Sequence, residues 1–213
     1  MIRVFIADDH AVVRQGLKQI FSDSHDITVA GEGSNANEIM EGIRKKNYDV
    51  LLLDISLPGM NGLEIIKQIQ HEQLRQPVLV LTVYPEEQYA MRAIRAGACG
   101  YLNKGCEPSE LIKAIRSIAK GRKYFTYIVL ERLVYQVGLN TKKTPHERLS
   151  DREYQVMCLI ARGKRIGDIA KELALSGKTI STYRARILEK LNVKSTAEII
   201  HYAITQELIE WTT

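Results

Sequence analysis

Short apolar runs alternate with longer segments of helical periodicity over about the first 118 residues. The apolar runs are rich in β-branched and aliphatic residues, as strands buried on both faces are. They read IRVFIA, ITVA, YDVLLL, PVLVLT and CGYLN, and stretches such as VVRQGLKQIF and EQYAMRAIRA separate them. Five strands and five helices in strict alternation predict an α/β fold built on a doubly wound parallel sheet.

This alternation stops after Gly121, and the apolar pattern becomes purely helical near residue 149. A polar stretch joins the two regions, with one helix predicted from about Tyr127 to Val137. From Leu149 onward the periodicity is helical throughout, which predicts a second, all-α domain of roughly 65 residues. We therefore predict an α/β domain over residues 1–120, a linker with one helix over 121–147, and a helical domain over 148–213.

Composition narrows the class of protein without naming it. Of the 213 residues, 45% are hydrophobic and 26% charged, as in ordinary globular proteins, and the formal net charge of +5 allows a polyanionic partner. Cys99, Cys106 and Cys158 lack the spacing of a disulfide framework or a zinc site. No apolar run reaches the roughly 18 residues of a membrane span, and the start carries no export signal. We expect a cytoplasmic protein without a membrane partner.

Acidic residues follow two of the predicted strands. Asp8 and Asp9 come after the first strand, and Asp54 ends the third in DVLLLDISLPGMNG, where proline and glycine then turn the chain back. In a parallel sheet these ends meet at one edge, so three carboxylates would repel one another unless a cation neutralised them. We expect these carboxylates to bind Mg²⁺ or another hard divalent ion such as Mn²⁺. Thr82 and Lys104 reach the same edge, and together these groups suit phosphoryl transfer.

The motifs IADDH, LLLDISLPGMNG, VLVLTVY and GYLNK, in this order, resemble the receiver domain of bacterial two-component response regulators. The resemblance implies a flavodoxin-like fold in which Asp54 accepts a phosphoryl group from a histidine kinase. It also implies that Asp9 and Asp54 hold Mg²⁺ with the backbone carbonyl of Ser56, while Asp8 acts largely through water. The remaining implied roles are phosphoryl contact for Lys104 and Thr82 and an aromatic switch for Tyr101. Gly105 follows Lys104 where many receivers carry proline.

An aspartyl nucleophile also serves haloacid-dehalogenase-like phosphatases, which require a second aspartate two residues after the first as general acid. That position is Ser56 here. The chain is therefore predicted to store a phosphoryl group, catalysing only its own transfer and dephosphorylation, and not to act as a turnover enzyme.

Two helices across a tight turn are predicted in the second domain, one over Ile166 to Leu173 and one over Gly177 to Leu191. Such a pair, with a polar and basic second helix, is the helix-turn-helix pattern that enters the major groove of double-stranded DNA. Ser150 and Glu153 carry the capping-box sequence at the start of the domain. The predicted DNA contacts are Lys178, Thr179, Ser181, Thr182, Tyr183, Arg184 and Arg186.

The stretches LSDREYQVM, ARGKRIGDIAKELALSGKTI and KLNVKSTAEII resemble the LuxR-type DNA-binding domain. Behind a receiver, that domain defines the NarL/FixJ family of response regulators, and TYRARILEKLNV looks most like its GacA/UvrY-type branch. Two positions depart from the family pattern. Ile166 stands where most members have asparagine, and Thr196 replaces a common arginine.

The two domains together predict a transcriptional regulator controlled by phosphorylation. Phosphorylation of Asp54 would change dimerisation or release the DNA-binding helix, and a homodimer is expected in the active state. The segment Glu198 to Leu208, with His201, Tyr202 and Ile204, is a candidate dimer contact or simply part of the helical core. The alternative is a phosphorylation-independent DNA-binding regulator whose receiver serves as a protein-interaction platform.

Overall fold

A computed structural model describes residues 1–45, 47–74, 76–138 and 144–209. The chain separates into two compact units, Met1–Tyr135 and Gln136–Thr213. Nowhere in the described ranges does a helix combine the length and the apolar character that crossing a bilayer requires.

Five parallel strands form the sheet of the first unit, in the order β2-β1-β3-β4-β5. Pairing of Ala7 with Leu53, and of Leu53 with Val80, brings the carboxyl ends of the central strands to one edge. The predicted doubly wound sheet is thus confirmed. The strands are β1 (Ile2–Ala7), β2 (Ile27–Gly33), β3 (Val50–Leu53), β4 (Val78–Thr82) and β5 (Gly100–Asn103).

Helices cover both faces of this sheet, which explains the unbroken apolar runs in the central strands. Alternate strand residues such as Val4, Leu52 and Leu79 pack in one cluster with Phe21 and Ile115 from the first and fifth helices. The helices are α1 (Ala11–Ser22), α2 (Ala36–Arg44), α3 (Gly62–His71), α4 (Glu86–Ala96) and α5 (Pro108–Ala119).

The chain beyond residue 120 stays attached to the first unit as far as Tyr135. Tyr124 forms a parallel bridge with Gly100 at the edge of the sheet. The predicted linker helix is present as α6 (Tyr127–Gly138), close to its expected bounds. The following linker residues 139–143 lie outside the described residues.

The second unit is helical, as the periodicity predicts. Its helices are α7 (Asp151–Ala161), α8 (Ile166–Glu172), α9 (Gly177–Leu191) and α10 (Thr196–Thr205), after a short 3₁₀ turn at Pro145–Arg148. Ser150 and Glu153 form the predicted capping box at the start of α7. The predicted pair of helices across a tight turn is confirmed as α8 and α9, and Ala174 in the turn has φ of 51°.

Candidate functional site

The loop after β3 delivers a buried carboxylate to the sheet edge. Asp54 follows four buried strand residues and is itself 2% exposed. Gly59 takes a left-handed φ of 80°, and the chain then starts α3 with Asn61 as its N-cap. At Gly62 a Cβ atom would lie 2.2 Å from the Asp54 carbonyl oxygen, so only glycine lets the helix begin this close to the strand.

The acidic residues meet at this edge, as expected from the parallel topology. Asp8, Asp9, His10 and Asp54 each bring one possible ligand atom into a group whose members lie within 4.8 Å of one another. Burial raises the pKa of the Asp9 carboxyl above its ordinary value, and the charges of Asp8 and Asp54 add to that rise while His10 opposes it. The carboxylates therefore favour a cation among them.

Lys104 supplies one such positive charge. Its ammonium lies 2.6 Å from Asp54 Oδ2 and 2.7 Å from Asp8 Oδ2. Burial alone would lower the pKa of Lys104, but the Asp54 and Asp8 carboxylates outweigh that effect and raise it. Its backbone N–H donates to the carbonyl of Thr82 at 2.7 Å, which fixes the loop after β5 against the end of β4. Lys104 thus bridges two carboxylates that would otherwise repel.

The donor set also suits a hard divalent ion. Asp9 Oδ1 lies 2.9 Å from His10 Nδ1, but the angle is not that of a hydrogen bond, so this buried oxygen accepts none from the described residues. A carboxylate oxygen without a donor, beside two further carboxylates, is the arrangement that Mg²⁺ or Mn²⁺ satisfies. Asp8, Asp9 and Asp54 each bring a carboxylate oxygen into the cluster that could hold such an ion. Ser56 lies at the mouth of the cluster, where its amide donates to Asp54 Oδ1 at 3.2 Å.

Thr82 and Tyr101 lie beside the cluster. Thr82 is fully buried, and its hydroxyl has no hydrogen-bond partner among the described residues. Tyr101 is also buried, and its hydroxyl donates to the carbonyl oxygen of Tyr84 at 2.9 Å. Burial first, and then the Asp54 charge, raises the pKa of Tyr101 well above its ordinary value, which keeps the phenol protonated. The ring is therefore inside, pinned to the loop between β4 and α4.

Gly105 makes a backbone hydrogen bond that proline at this position could not make. Its backbone N–H donates to Asn103 Oδ1 at 2.8 Å, and proline has no N–H to donate. The lysine preceding it still reaches both carboxylates, so the departure from the family pattern leaves the geometry of Lys104 intact.

Sequence reasoning gave no role to His10 or Asn61, which both belong to the site. His10 completes the ligand cluster, and its backbone N–H donates to Asp8 Oδ1 at 2.8 Å. Asn61 is fully buried and accepts from the amide of Leu63 at 2.8 Å. The signal for Asn61 was present in the sequence, since asparagine followed three residues later by Glu64 is a capping-box pattern.

A second candidate site lies on α9 in the other unit. Ser176 caps this helix by accepting from the amide of Thr179 at 3.0 Å. The buried side of the helix carries Ile180, Ile187 and Leu191, so its polar residues face outward. A groove of about 320 Å³ is lined by Ser176, Lys178, Thr179, Thr182, Tyr183 and Arg186.

The net positive charge of the chain is concentrated in this unit. Residues 136–213 contain 13 Lys and Arg against 9 Asp and Glu, whereas residues 1–135 contain 17 against 16. The helical unit therefore carries +4 of the formal +5. This distribution favours a polyanionic partner for the second unit and not for the first.

The predicted DNA contacts differ in how freely they reach solvent. Lys178, Ser181, Thr182 and Arg186 are exposed, while Thr179, Tyr183 and Arg184 are half-buried. Arg184 donates from Nε to Thr196 Oγ1 at 2.9 Å, so its guanidinium is held against the start of α10. The threonine that replaces a common arginine thus contacts a predicted DNA-binding residue.

Part of the candidate dimer segment around α10 packs inside the helical unit. Ile199 and Ala203 are buried there, and the Tyr202 hydroxyl lies 3.0 Å from His146 Nδ1. His201 is exposed, and Ile204 is half-buried. Of the three residues singled out in the sequence, His201 is thus the one most open to a partner.

Comparison with known families covers both units. The response regulator receiver domain matches residues 4–116, and the bacterial regulatory proteins of the luxR family match residues 147–203. With the parallel sheet and the helix-turn-helix pair, these matches place the chain in the NarL/FixJ family of two-component response regulators, as its motifs predict.

Individual relatives extend along nearly the whole chain. The response regulator UvrY of Escherichia coli K12 is 36% identical over 209 residues, covering 98% of this chain and 96% of UvrY. The response regulator GacA of Pseudomonas aeruginosa PAO1 is 32% identical, covering 99% of both chains. The structure of RcsB from Salmonella enterica serovar Typhimurium, bound to promoter rprA with the phosphomimetic BeF₃⁻, has a TM-score of 0.64 at 27% identity. That alignment covers 96% of this chain and 100% of the RcsB chain.

Proposed function

We propose that this chain is a DNA-binding transcriptional regulator whose activity is set by phosphorylation of Asp54. The observation that carries the proposal is the placement of Asp54 at the carboxyl edge of the sheet, where its carboxylate contacts Lys104 and lies in one cluster with those of Asp8 and Asp9. A carboxylate held by one cation, beside donors for another, is an electrostatic environment suited to phosphoryl transfer.

In the proposed reaction an Asp54 carboxylate oxygen attacks the phosphorus of a phosphohistidine on a sensor kinase. The P–N bond breaks, the histidine nitrogen keeps the electron pair and takes a proton from water, and an acyl phosphate forms on Asp54. Asp9, Asp54 and the carbonyl of Ser56 would hold Mg²⁺, with Asp8 acting through water. The ion, when bound, neutralises charge on the phosphoryl oxygens.

Lys104 and Thr82 would receive the phosphoryl group. The ammonium already contacts Asp54, so a short movement brings it to a phosphoryl oxygen. The Thr82 hydroxyl has no acceptor among the described residues at present, and a phosphoryl oxygen would supply one. Both contacts exist only in the phosphorylated state, so they bias the β4–α4 loop towards a new arrangement.

A chain of contacts leads from that loop to α6 within the first unit. Tyr101 is bonded to the loop at Tyr84, and α4 begins immediately afterwards at Glu86. Thr126 donates to Glu86 Oε2 at 2.7 Å, and Arg132 donates to the backbone carbonyl of Glu87 at 3.1 Å. A shift of the loop would therefore reach the linker helix that precedes the DNA-binding unit.

The proposed output is binding to double-stranded DNA through α9, as a homodimer in the active state. Support comes from the excess positive charge of this unit, the outward polar face of α9 and the likeness to RcsB, whose structure is bound to a promoter. The half-buried Arg184 would contribute from a position fixed by Thr196, and Arg186 from an exposed one.

The test is intact mass after incubation with Mg²⁺ and a small phosphodonor, followed by light-scattering chromatography of each sample. Asp54→Asn removes the proposed acceptor. Asp26→Asn is the matched control, because Asp26 is exposed and pairs with Arg116. Asp26 lies before the start of β2, whereas the clustered carboxylates follow the ends of β1 and β3. We expect one added phosphoryl group in the wild type and in Asp26→Asn, and none in Asp54→Asn. Labelling retained in Asp54→Asn would show that another residue is the acceptor. No labelling in any of them would favour a phosphorylation-independent regulator.

A further inference from the structure

His10 precedes α1 at the N-cap position but does not cap the helix. This position usually holds serine, threonine, aspartate or asparagine, whose side chain accepts a backbone N–H of the first turn. His10 has extended backbone angles there, and its side chain makes no capping hydrogen bond. The imidazole lies instead beside the carboxylates of Asp8 and Asp9. Helix capping therefore does not account for this histidine.

The imidazole and the two carboxylates are spaced like ligands of one ion. His10 Nδ1 lies 2.9 Å from Asp9 Oδ1 and 3.3 Å from Asp8 Oδ1. Two atoms bound at right angles to an ion, each about 2.1 Å from it, are about 3.0 Å apart, and at tetrahedral angles they are about 3.4 Å apart. Both measured distances match these separations, so Nδ1 is placed to share an ion with either carboxylate.

The shorter of the two contacts is not a hydrogen bond. Asp9 Oδ1 is buried and accepts no hydrogen bond from the described residues, although Nδ1 of His10 is 2.9 Å away. Lone pairs that face each other this closely without a shared proton repel, and a cation bound by both atoms removes the repulsion. The imidazole is 60% exposed, so its Nε2 can hold the ring proton towards water and leave Nδ1 free to bind an ion.

We propose that His10 is a ligand of the divalent-ion site and gives that site a preference for Ni²⁺ and Zn²⁺ over Mg²⁺. The inference rests on the ion site proposed above, to which it adds one nitrogen ligand. Mg²⁺ favours carboxylate, carbonyl and water oxygens, whereas imidazole favours later first-row metals such as nickel and zinc. Ions of this class would therefore displace Mg²⁺ from beside Asp54 at concentrations lower than its own.

The test is isothermal titration calorimetry of the unphosphorylated full chain, without a histidine tag, using Ni²⁺ and Mg²⁺ in turn. His10→Ala removes the proposed nitrogen ligand. His25→Ala is the matched control, because His25 is an exposed histidine that lies before β2 and outside the cluster. We expect His10→Ala to raise the Ni²⁺ dissociation constant by about tenfold or more and the Mg²⁺ constant by about threefold or less. His25→Ala should change neither constant.

Proton NMR of the Ni²⁺-loaded protein supplies a readout of coordination itself. Ni²⁺ is paramagnetic, so it shifts the ring protons of a coordinated imidazole far outside their usual range. These signals should appear in the wild type and in His25→Ala and be missing from His10→Ala. Signals that persist in His10→Ala, or an equal loss of affinity for both ions, would overturn the inference and leave the Mg²⁺ site standing. Binding of neither ion to the wild type would overturn the ion site as well.

Discussion

At the residue scale, the candidate phosphorylation site is a balance of four charges. Lys104 bridges Asp8 and Asp54, and Asp9 is left with an oxygen that accepts no hydrogen bond from the described residues. The lysine and a divalent ion are thus partly interchangeable as sources of positive charge. That relation can be tested by removing one of them.

Lys104→Met should leave the carboxylates without their internal cation. We expect the variant to lose about 3 kcal/mol of stability in the absence of a metal, because buried like charges then lack a partner. Added Mg²⁺ should recover more stability in the variant than in the wild type. Thermal unfolding during a Mg²⁺ titration measures both effects. Equal responses of the two proteins to Mg²⁺ would mean that the ion does not bind among these carboxylates.

Thr82 offers a substitution that separates stability from signalling. Thr82→Val keeps the shape of the side chain and removes a buried hydroxyl that has no partner among the described residues. We expect the unphosphorylated variant to be about 1 kcal/mol more stable, since an unsatisfied group is lost, and to take up phosphoryl without the change in oligomeric state. Thr82→Ser, which retains the hydroxyl, is the control for signalling. Urea unfolding measures the stability, and light scattering measures the oligomeric state. A clear loss of stability in Thr82→Val would contradict the inference that the buried hydroxyl is unsatisfied in the folded protein.

At the element scale, α3 and α7 both begin with a side-chain cap. Asn61 caps α3 directly after the Asp54 loop, and Ser150 caps α7 at the start of the helical unit. Both ends are capping boxes, so the orphan N–H groups of the first turn are satisfied locally.

Gly62→Ala should distort the Asp54 loop, because its Cβ would meet the Asp54 carbonyl oxygen at 2.2 Å. We expect a loss of about 1–3 kcal/mol from overpacking and slower phosphorylation. Gly16→Ala is the opposite case within α1, where a Cβ meets nothing within 4 Å, and it should stabilise by about 0.5–1 kcal/mol. Urea unfolding of the two variants checks the contrast. Equal effects would show that the close approach at Gly62 is not what constrains the loop.

Glu153 ties the start of α7 to α9. It accepts from Lys190 Nζ at 2.6 Å and from the Ser150 amide at 2.8 Å. Burial raises its pKa, but these two donors outweigh burial and bring the pKa below the ordinary value of 4.5. A lowered pKa gives stability that is present above pH 4.5 and is lost as the pH falls through the folded value.

Glu153→Gln should therefore destabilise the helical unit by about 1 kcal/mol at neutral pH, and the difference from the wild type should vanish as the wild-type carboxyl becomes protonated. Glu172→Gln is the control in the same unit, since Glu172 and Lys164 form an exposed pair, and it should change stability by about 0.5 kcal/mol or less. Urea unfolding at several pH values provides the test. A deficit of Glu153→Gln that persists in acid would exclude the charge as its cause.

The strands show what could be predicted from the sequence and what could not. The buried runs that became β1, β3 and β4 were readable because both faces of a parallel sheet are apolar. The attachment of residues 121–135 to the first unit was not, since it depends on the bridge at Tyr124 and on side-chain hydrogen bonds such as those of Thr126 and Arg132, which leave no periodic signal. The assigned roles of the site residues remain predictions.

At the scale of the whole molecule, the two units differ in net charge. The first unit is nearly neutral and brings three carboxylates together at one edge of its sheet, while the second carries most of the net charge. Long-range attraction to a polyanion therefore acts on the second unit, and it weakens as salt is added.

Arg186→Ala should weaken DNA binding by the full chain and reduce the slope of log affinity against log salt by about 0.9, the value for one lost phosphate contact. Arg122→Ala removes one exposed charge from the first unit and is the matched control, for which we expect an unchanged slope. Fluorescence anisotropy at several salt concentrations measures both. Arg184→Ala should weaken binding and lower the slope as well. Thr196→Val, which removes only the acceptor of Arg184, should reveal whether the orientation of that arginine matters.

The buried Thr82 hydroxyl affects the basal activity expected of the unphosphorylated protein. An unsatisfied donor raises the free energy of the resting arrangement, and about 1.4 kcal/mol of such a rise shifts a two-state equilibrium tenfold. The resting form is then less strongly preferred over its alternatives than a fully bonded site would make it. In the proposed switch, Thr82→Val would therefore lower the basal activity by strengthening the resting form, and it would also remove the hydroxyl that the phosphoryl group is expected to engage.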